Sequence, residues 1–277
     1  MFLWLPVLWV DVFCWEIQRK LVWHKGCIHW GNMKTTKNTG LPSWKRVLDV
    51  CGILVMLPVL LPVALVMAVI IRAISTGPVL FRQERIGYQG CRFTCLKFRT
   101  MFQGSETATQ QVHFDHLVQA DAPMTKMDAQ GDKRIIPFGR IMRAAGLDEI
   151  PQLINVLKGE MSLTGPRPCL PGEVERFIPW QHERFAAVPG LTGLWQVSGK
   201  NRLTFNQMVQ LDIHYVTTMS LWLDLKIIAM TLPALAFQMW DMNQNTIPAT
   251  KLIRVGKLQS SEVWSRQLNL EWLTKNQ

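Results

Sequence analysis

Leu147-Asp148-Glu149-Ile150-Pro151-Gln152-Leu153-Ile154-Asn155-Val156-Leu157-Lys158-Gly159-Glu160, running on to Gly165-Pro166-Arg167-Pro168, is the most telling stretch of the chain. Two adjacent carboxylates open an apolar-periodic helix, basic residues flank them, and a rigid Gly-Pro-Arg-Pro turn closes the unit. A helix start offers unpaired backbone N–H groups and the positive end of a dipole, so it attracts phosphate. Carboxylates at that place do nothing for anion binding alone. They suit a site in which a carboxylate reacts with a phosphoryl group or holds a metal against one. A purely structural role is the alternative, because acidic side chains also stabilise a helix N-terminus.

Upstream, residues 50–71 carry no charge, enough to cross a hydrocarbon core of roughly 30 Å as a helix. Pro58 and Pro62 lie inside this run, and each removes a backbone hydrogen bond and crowds the preceding turn. Basic residues stand on both sides, with Lys34, Lys37, Lys45 and Arg46 before and Arg72, Arg82 and Arg85 after. Such symmetry gives no preferred direction of crossing. A helix that dips in, bends at proline and returns to the same face satisfies both facts; a true crossing and a buried soluble helix are the other options. Trp44, Lys45 and Arg46 together have the make-up of an interface anchor. Met1 to Trp15 is apolar without a preceding positive charge or a small-residue cleavage site, which argues against a signal peptide.

The 277 residues carry a net charge of +10 and are 48% hydrophobic, which favours anionic partners such as lipid surface, nucleotide or phosphorylated substrate. No helix-turn-helix, zinc motif or aromatic-basic platform points to nucleic acid. The six cysteines show no paired framework, and reduced thiols are expected. His113 and His116 suggest a surface segment more than a metal pair.

Further along, Val79-Leu80-Phe81 and Cys91 to Phe98 form a hairpin signal. Gln103 to Gly131 reads as a loop with a short helix, Phe138 to Ala145 as a short helix, and Glu173 to Ala187 as another. Leu194 to Ser198 reads as a short extended run, and Phe205 to Thr218 and Leu221 to Trp240 as helices, the last apolar enough to lie along a membrane.

In order, the motifs are Lys45-Arg46 with Asp49, Gly77-Pro78-Val79, Lys97-Phe98-Arg99-Thr100-Met101, and Arg143 with Leu147-Asp148-Glu149. Asn155-Val156-Leu157-Lys158-Gly159, Gly165-Pro166-Arg167-Pro168, Pro189-Gly190-Leu191-Thr192-Gly193, Trp195-Gln196-Val197 and Asp224-Leu225-Lys226-Ile227 follow. Together they resemble the bacterial sugar transferase family, the monotopic phosphoglycosyl transferases, over roughly two thirds of the chain. The resemblance implies an α+β, mostly helical membrane protein with a re-entrant, proline-kinked helix, a small β-hairpin and amphipathic interfacial helices. It divides the chain into an apolar and basic lead (1–44), the membrane helix (45–74), a cytoplasmic-facing catalytic domain (75–242) and a tail (243–277).

The resemblance further implies a ping-pong transfer of sugar-1-phosphate from a UDP-sugar to undecaprenyl phosphate at the cytoplasmic face of the bacterial inner membrane. Asp148 would be the nucleophile, Glu149 and Arg143 its catalytic companions, and Asp148 with Glu149 the Mg²⁺ ligands. Lys97, Arg99, Arg167, Gln196 and Lys200 would bind substrate. Such cations close to Asp148 would keep its carboxylate ionised, and Mg²⁺ takes one or two carboxylates plus phosphate oxygens. Lys97 and Arg99 also fit a solvated strand face, Gln196 a core-facing polar residue, and Trp195 packing. Membrane lipid is a further partner, and a homodimer is compatible with the sequence.

Four positions depart from the family pattern: Gly146 for Ser, Glu160 for Asp, Leu61 for Ser and Lys200 for Arg. Lysine keeps the charge but loses arginine's bidentate fork. The alternative function is a membrane scaffold with a decayed site, against which the intact Asp148, Glu149, Arg143 and Arg167 count. A soluble metal-dependent glycosyltransferase is disfavoured because no Asp-x-Asp occurs.

Overall fold

The computed structural model describes Cys27, residues 41–102, 123–124 and 134–244. The expectations for the lead segment, His113, His116, nearly all of the polar stretch after Gln103 and the tail lie outside the described residues.

Helix α1, Ser43–Ile74, runs through both Pro58 and Pro62. Ile53, Met56, Leu60, Ala64, Met67, Ala68 and Ile71 recur at three- and four-residue spacing and pack against the rest of the chain. Leu54, Val55, Val59, Leu65, Val66 and Val69 occupy the opposite, exposed face. A helix apolar all round but covered on one side only leaves a large greasy surface. The helix therefore lies along the body for its whole length, with one flank uncovered.

The expected hairpin is present and longer than its apolar residues suggested. Strand β1, Leu80–Ile86, pairs antiparallel with β2, Arg92–Phe98, from Leu80↔Phe98 to Ile86↔Arg92. The turn between them needs positive φ at Gln89 and Gly90. Helix α2, Gly139–Ala144, ends at Gly146, and a 3₁₀ segment, Leu147–Gln152, feeds helix α3, Leu153–Lys158. A second sheet, not foreseen, joins β3, Ser162–Thr164, in parallel with β4, Gly190–Thr192. Here two backbone segments meet without side chains between them: a Cβ on Gly190 would sit 2.0 Å from the Gly165 nitrogen, and one on Gly193 2.3 Å from the Gly165 oxygen.

Two local expectations are corrected. The single helix over 173–187 is instead a short α4, Pro171–Val174, and a 3₁₀ segment, Pro179–Ala186. Pro179 forces Ile178 into an extended conformation (ψ 160°), which breaks any helix there. The extended run at 194–198 is a helical turn, α5, Leu194–Val197, which sends Trp195 and Val197 into two different apolar clusters. Helices α6, Phe205–Thr218, and α7, Leu221–Gln244, match expectation; Thr204 and Gln207 cap α6 reciprocally. By length and composition, α1 and the Leu221–Trp240 part of α7 are long and apolar enough to cross a membrane.

The interface-anchor reading of Lys45 and Arg46 is overturned. Lys45 is 2% exposed, ion-paired with Asp224, and donates to Thr164 Oγ1 and Tyr215 Oη at 2.8 Å each. Asp49, one turn on, accepts from Ser162 Oγ at 2.9 Å and Leu163 N at 2.8 Å. Arg46 caps the C-terminal end of α3 by donating to the carbonyls of Val156 and Leu157. The charges at the head of α1 thus serve the interior, because β3, α3, α6 and α7 converge there with polar groups to satisfy. The expectation of reduced thiols is corrected as well. Cys27 and Cys91, 64 residues apart, form a disulfide, a pairing that spacing alone cannot reveal. Among the described residues Cys51, Cys95 and Cys169 are free.

Candidate active site

Gly146 stops α2 in a left-handed conformation (φ 69°), a path that a glycine's freedom permits. Pro151 lacks the N–H that an α-helical bond back to Leu147 requires, and the chain tightens into the 3₁₀ turn that carries Asp148 and Glu149. Asp148 is buried at 9% exposure, whereas the Glu149 side chain is 36% exposed. The two carboxylates therefore differ in environment: one is sheltered, the other open.

Asn155 fastens this segment to the hairpin. Its Oδ1 accepts from Leu96 N at 3.0 Å, and its Nδ2 donates to the Thr94 carbonyl at 2.7 Å and to Glu160 Oε2 at 2.6 Å. That brace sets the β2 residue after Leu96, Lys97, beside the carboxylates: Lys97 Nζ lies 3.1 Å from Glu149 Oε1. Glu160, a departure from the family pattern, is held in the same brace.

A second cation comes from a distant part of the chain. Lys200 occupies a 3₁₀ turn, Lys200–Arg202, with φ 41°. Burial holds its ammonium below the usual lysine range, opposed by the charges of Glu149 and Asp148 and assisted by that of Lys97. Lys97, Lys200, Asp148 and Glu149 therefore form one electrostatic unit. Lys200 Nζ donates to Gln238 Oε1 at 2.8 Å.

The remaining predicted residues are placed differently. The Arg167 fork is engaged by Glu173, with Nη1–Oε2 at 2.9 Å and Nη2–Oε1 at 3.0 Å. Burial alone would raise the Glu173 carboxyl, but Arg167 and Arg85 outweigh it and hold it below the ordinary range. Arg184 and Asp212 form a second buried ion pair behind it, and the Arg167 backbone touches both. Arg167 thus braces the Gly-Pro-Arg-Pro turn. Arg99 lies past the end of β2 and reaches back to the Thr76 carbonyl at 3.5 Å, so it does not share the setting of Lys97. Gln196 donates to the Leu191 carbonyl at 3.2 Å, in keeping with an inward role. Arg143 sits in the last turn of α2, just ahead of the carboxylates.

Among the described residues no three His, Cys, Asp or Glu side chains gather as a ready metal cage. Adjacent Asp148 and Glu149 suit an ion that completes its octahedron with phosphate oxygens and water, as Mg²⁺ does. Asn155 belongs to a legible motif, yet its bracing role needs the fold; the amide of Gln238 between Phe237 and Met239 is the signal for that residue, and it lies outside the motifs.

The buried Asp148, with its neighbour Glu149 paired to Lys97, makes this turn the chain's candidate site. The chain belongs to the bacterial sugar transferase family, whose model matches residues 41–238. Over 190 residues it is 36% identical to the exopolysaccharide production protein ExoY of Sinorhizobium fredii, covering 69% of this chain and 84% of that protein. It is 41% identical over 199 residues to the UDP-glucose:undecaprenyl-phosphate glucose-1-phosphate transferase of Caulobacter vibrioides, covering 69% of each. With the galactosyl transferase CpsE of Streptococcus agalactiae it shares 40% identity over 189 residues, 68% of this chain but only 41% of CpsE.

Proposed function

We propose that this chain transfers a sugar-1-phosphate from a UDP-sugar to undecaprenyl phosphate and releases UMP, as an early membrane step of exopolysaccharide or glycoconjugate assembly. The observation that carries it is the Asp148–Glu149 pair, with Glu149 3.1 Å from Lys97 and the charges of both acids acting on Lys200. The names of the Caulobacter and Streptococcus relatives supply the substrate class. A carboxylate oxygen of Asp148 bonds to the β-phosphorus while the bond to the UMP oxygen breaks, and UMP leaves with the electron pair. A phosphate oxygen of the polyprenol then attacks the same phosphorus and the carboxylate departs, restoring the enzyme. Lys97 and Lys200 neutralise the charge that shifts between these oxygens. Asp148 and Glu149 would hold Mg²⁺ against the diphosphate, where it would supply further charge neutralisation.

The same proposal places α1 as a re-entrant element at the cytoplasmic face of the inner membrane. Lys45 and Asp49 at its head and Ile71 at its end rest on one body. Phe138, Ile141, Ile154, Leu157, Trp222 and Leu232 are exposed apolar side chains on the short helices and α7, suited to the lipid interface. Single cysteines placed at Ser43 and Thr76 should both react with an impermeant maleimide in inside-out vesicles and both be protected in right-side-out ones. Opposite labelling would establish a crossing.

Membranes holding the protein should release UMP from one of a panel of labelled UDP-sugars and yield a labelled polyprenol diphosphate sugar. Absence of UMP release with every donor would instead favour a scaffold.

A further inference from the structure

Gln238 lies on α7, 38 residues beyond Lys200, in an otherwise apolar run. Its Oε1 accepts from Lys200 Nζ at 2.8 Å, and its Nε2 points back to the Arg143 carbonyl oxygen at 3.5 Å. Its neighbour Phe237 lies under the Arg202 guanidinium, 5.1 Å from the ring centroid. Two consecutive α7 residues thus fasten both ends of the Lys200–Arg202 turn, and one of them also reaches the end of α2 that leads into the carboxylates. Lys200 has the positive φ that non-glycine residues rarely adopt, so its backbone alone does not favour this pose.

The choice of an amide is informative. A carboxylate at this place would also hold the ammonium, but it would cancel the charge and add a third acid beside Asp148 and Glu149. An amide oxygen fixes the direction of the ammonium and leaves its charge available. An ammonium on a four-carbon stem has no fixed direction of its own, so its orientation must come from a neighbour.

We propose that Gln238 is a positioning residue that holds Lys200 for the diphosphate of the UDP-sugar. The inference rests on the transferase reading above. Lys200 then meets the diphosphate in both ground and transition state, so losing its orientation raises KM for the donor more than it lowers kcat.

The test uses full-length protein in membranes or detergent, with UMP release from the active UDP-sugar as readout. Gln238→Met keeps side-chain length and helix propensity; it should raise KM roughly tenfold, the scale of one hydrogen bond to a charged group, with kcat nearly unchanged. Gln238→Glu keeps the shape and the acceptor, and should raise KM at least as much because it neutralises Lys200. Glutamate also loses the donor that faces the Arg143 carbonyl, so the split between KM and kcat decides the reading: wild-type KM in Gln238→Glu overturns the proposal, and so does a fall in kcat with KM unchanged. In a Lys200→Met background, Gln238→Met should cost nothing further; additive losses would likewise overturn it. An active wild type with additive losses defeats only the role of Gln238, whereas a wild type that releases no UMP from any donor defeats the transferase reading and this inference with it.

Discussion

Asp148→Asn should abolish formation of a phosphosugar–enzyme adduct and lower UMP release by roughly three orders of magnitude or more, the scale of losing a covalent nucleophile. The substitution changes one oxygen to nitrogen in a side chain that is already 9% exposed, so fold and membrane attachment should survive. Asparagine also weakens any cation held with Glu149, and adduct mapping separates the two effects. Protein trapped during turnover with labelled UDP-sugar and digested should carry the label on the peptide containing Asp148, and that labelled peptide should vanish in the variant. Full turnover by Asp148→Asn, or label on a different residue, would contradict the assignment.

The second large effect is on stability. Lys45→Met should destabilise the protein by roughly 3–5 kcal/mol, because it leaves Asp224 buried without its cation. Asp224 is fully buried, and Tyr215 Oη at 2.7 Å would be its remaining side-chain donor. Removing both charges together, Lys45→Met with Asp224→Leu, should recover much of the loss, since an uncompensated charge costs more than an absent pair. Thermal unfolding in detergent reads both variants; an unchanged midpoint in Lys45→Met would show that the pair is not a structural element.

Both predictions concern residues that the sequence put into motifs, and the motifs were unequal guides. Asp148 and Glu149 were legible because adjacent acids at a helix start, before Pro151 and Asn155, are chemically unusual. The hairpin, α6 and α7 were legible because their periodicity is local. Lys45 was read as a headgroup anchor because a basic residue flanking an apolar run has that look; only the arrival of Asp224 and Tyr215, 179 and 170 residues away, makes it a core residue. Arg167 has the stiffness of a proline-fixed guanidinium, and the fold adds what the sequence does not show, that its fork meets Glu173, six residues on. The β3–β4 pairing is not legible because three-residue strands carry too little alternation to read. Charge and rigidity can be read along the chain. Which partner they meet cannot.

The seating of α1 has a practical consequence. Trimming the chain ahead of Gly77 to obtain a water-soluble enzyme would strand Thr164, Ser162, Tyr215 and Asp224 without the ammonium and carboxylate they face. It would also bare the apolar floor formed by Leu153, Val156, Met161 and Leu163, against which Ile53 packs. The apolar helix is a keystone of the fold rather than a leash, so solubility has to be sought by redesigning its outward flank at Val55, Val59 and Val69 while its inward residues stay as they are.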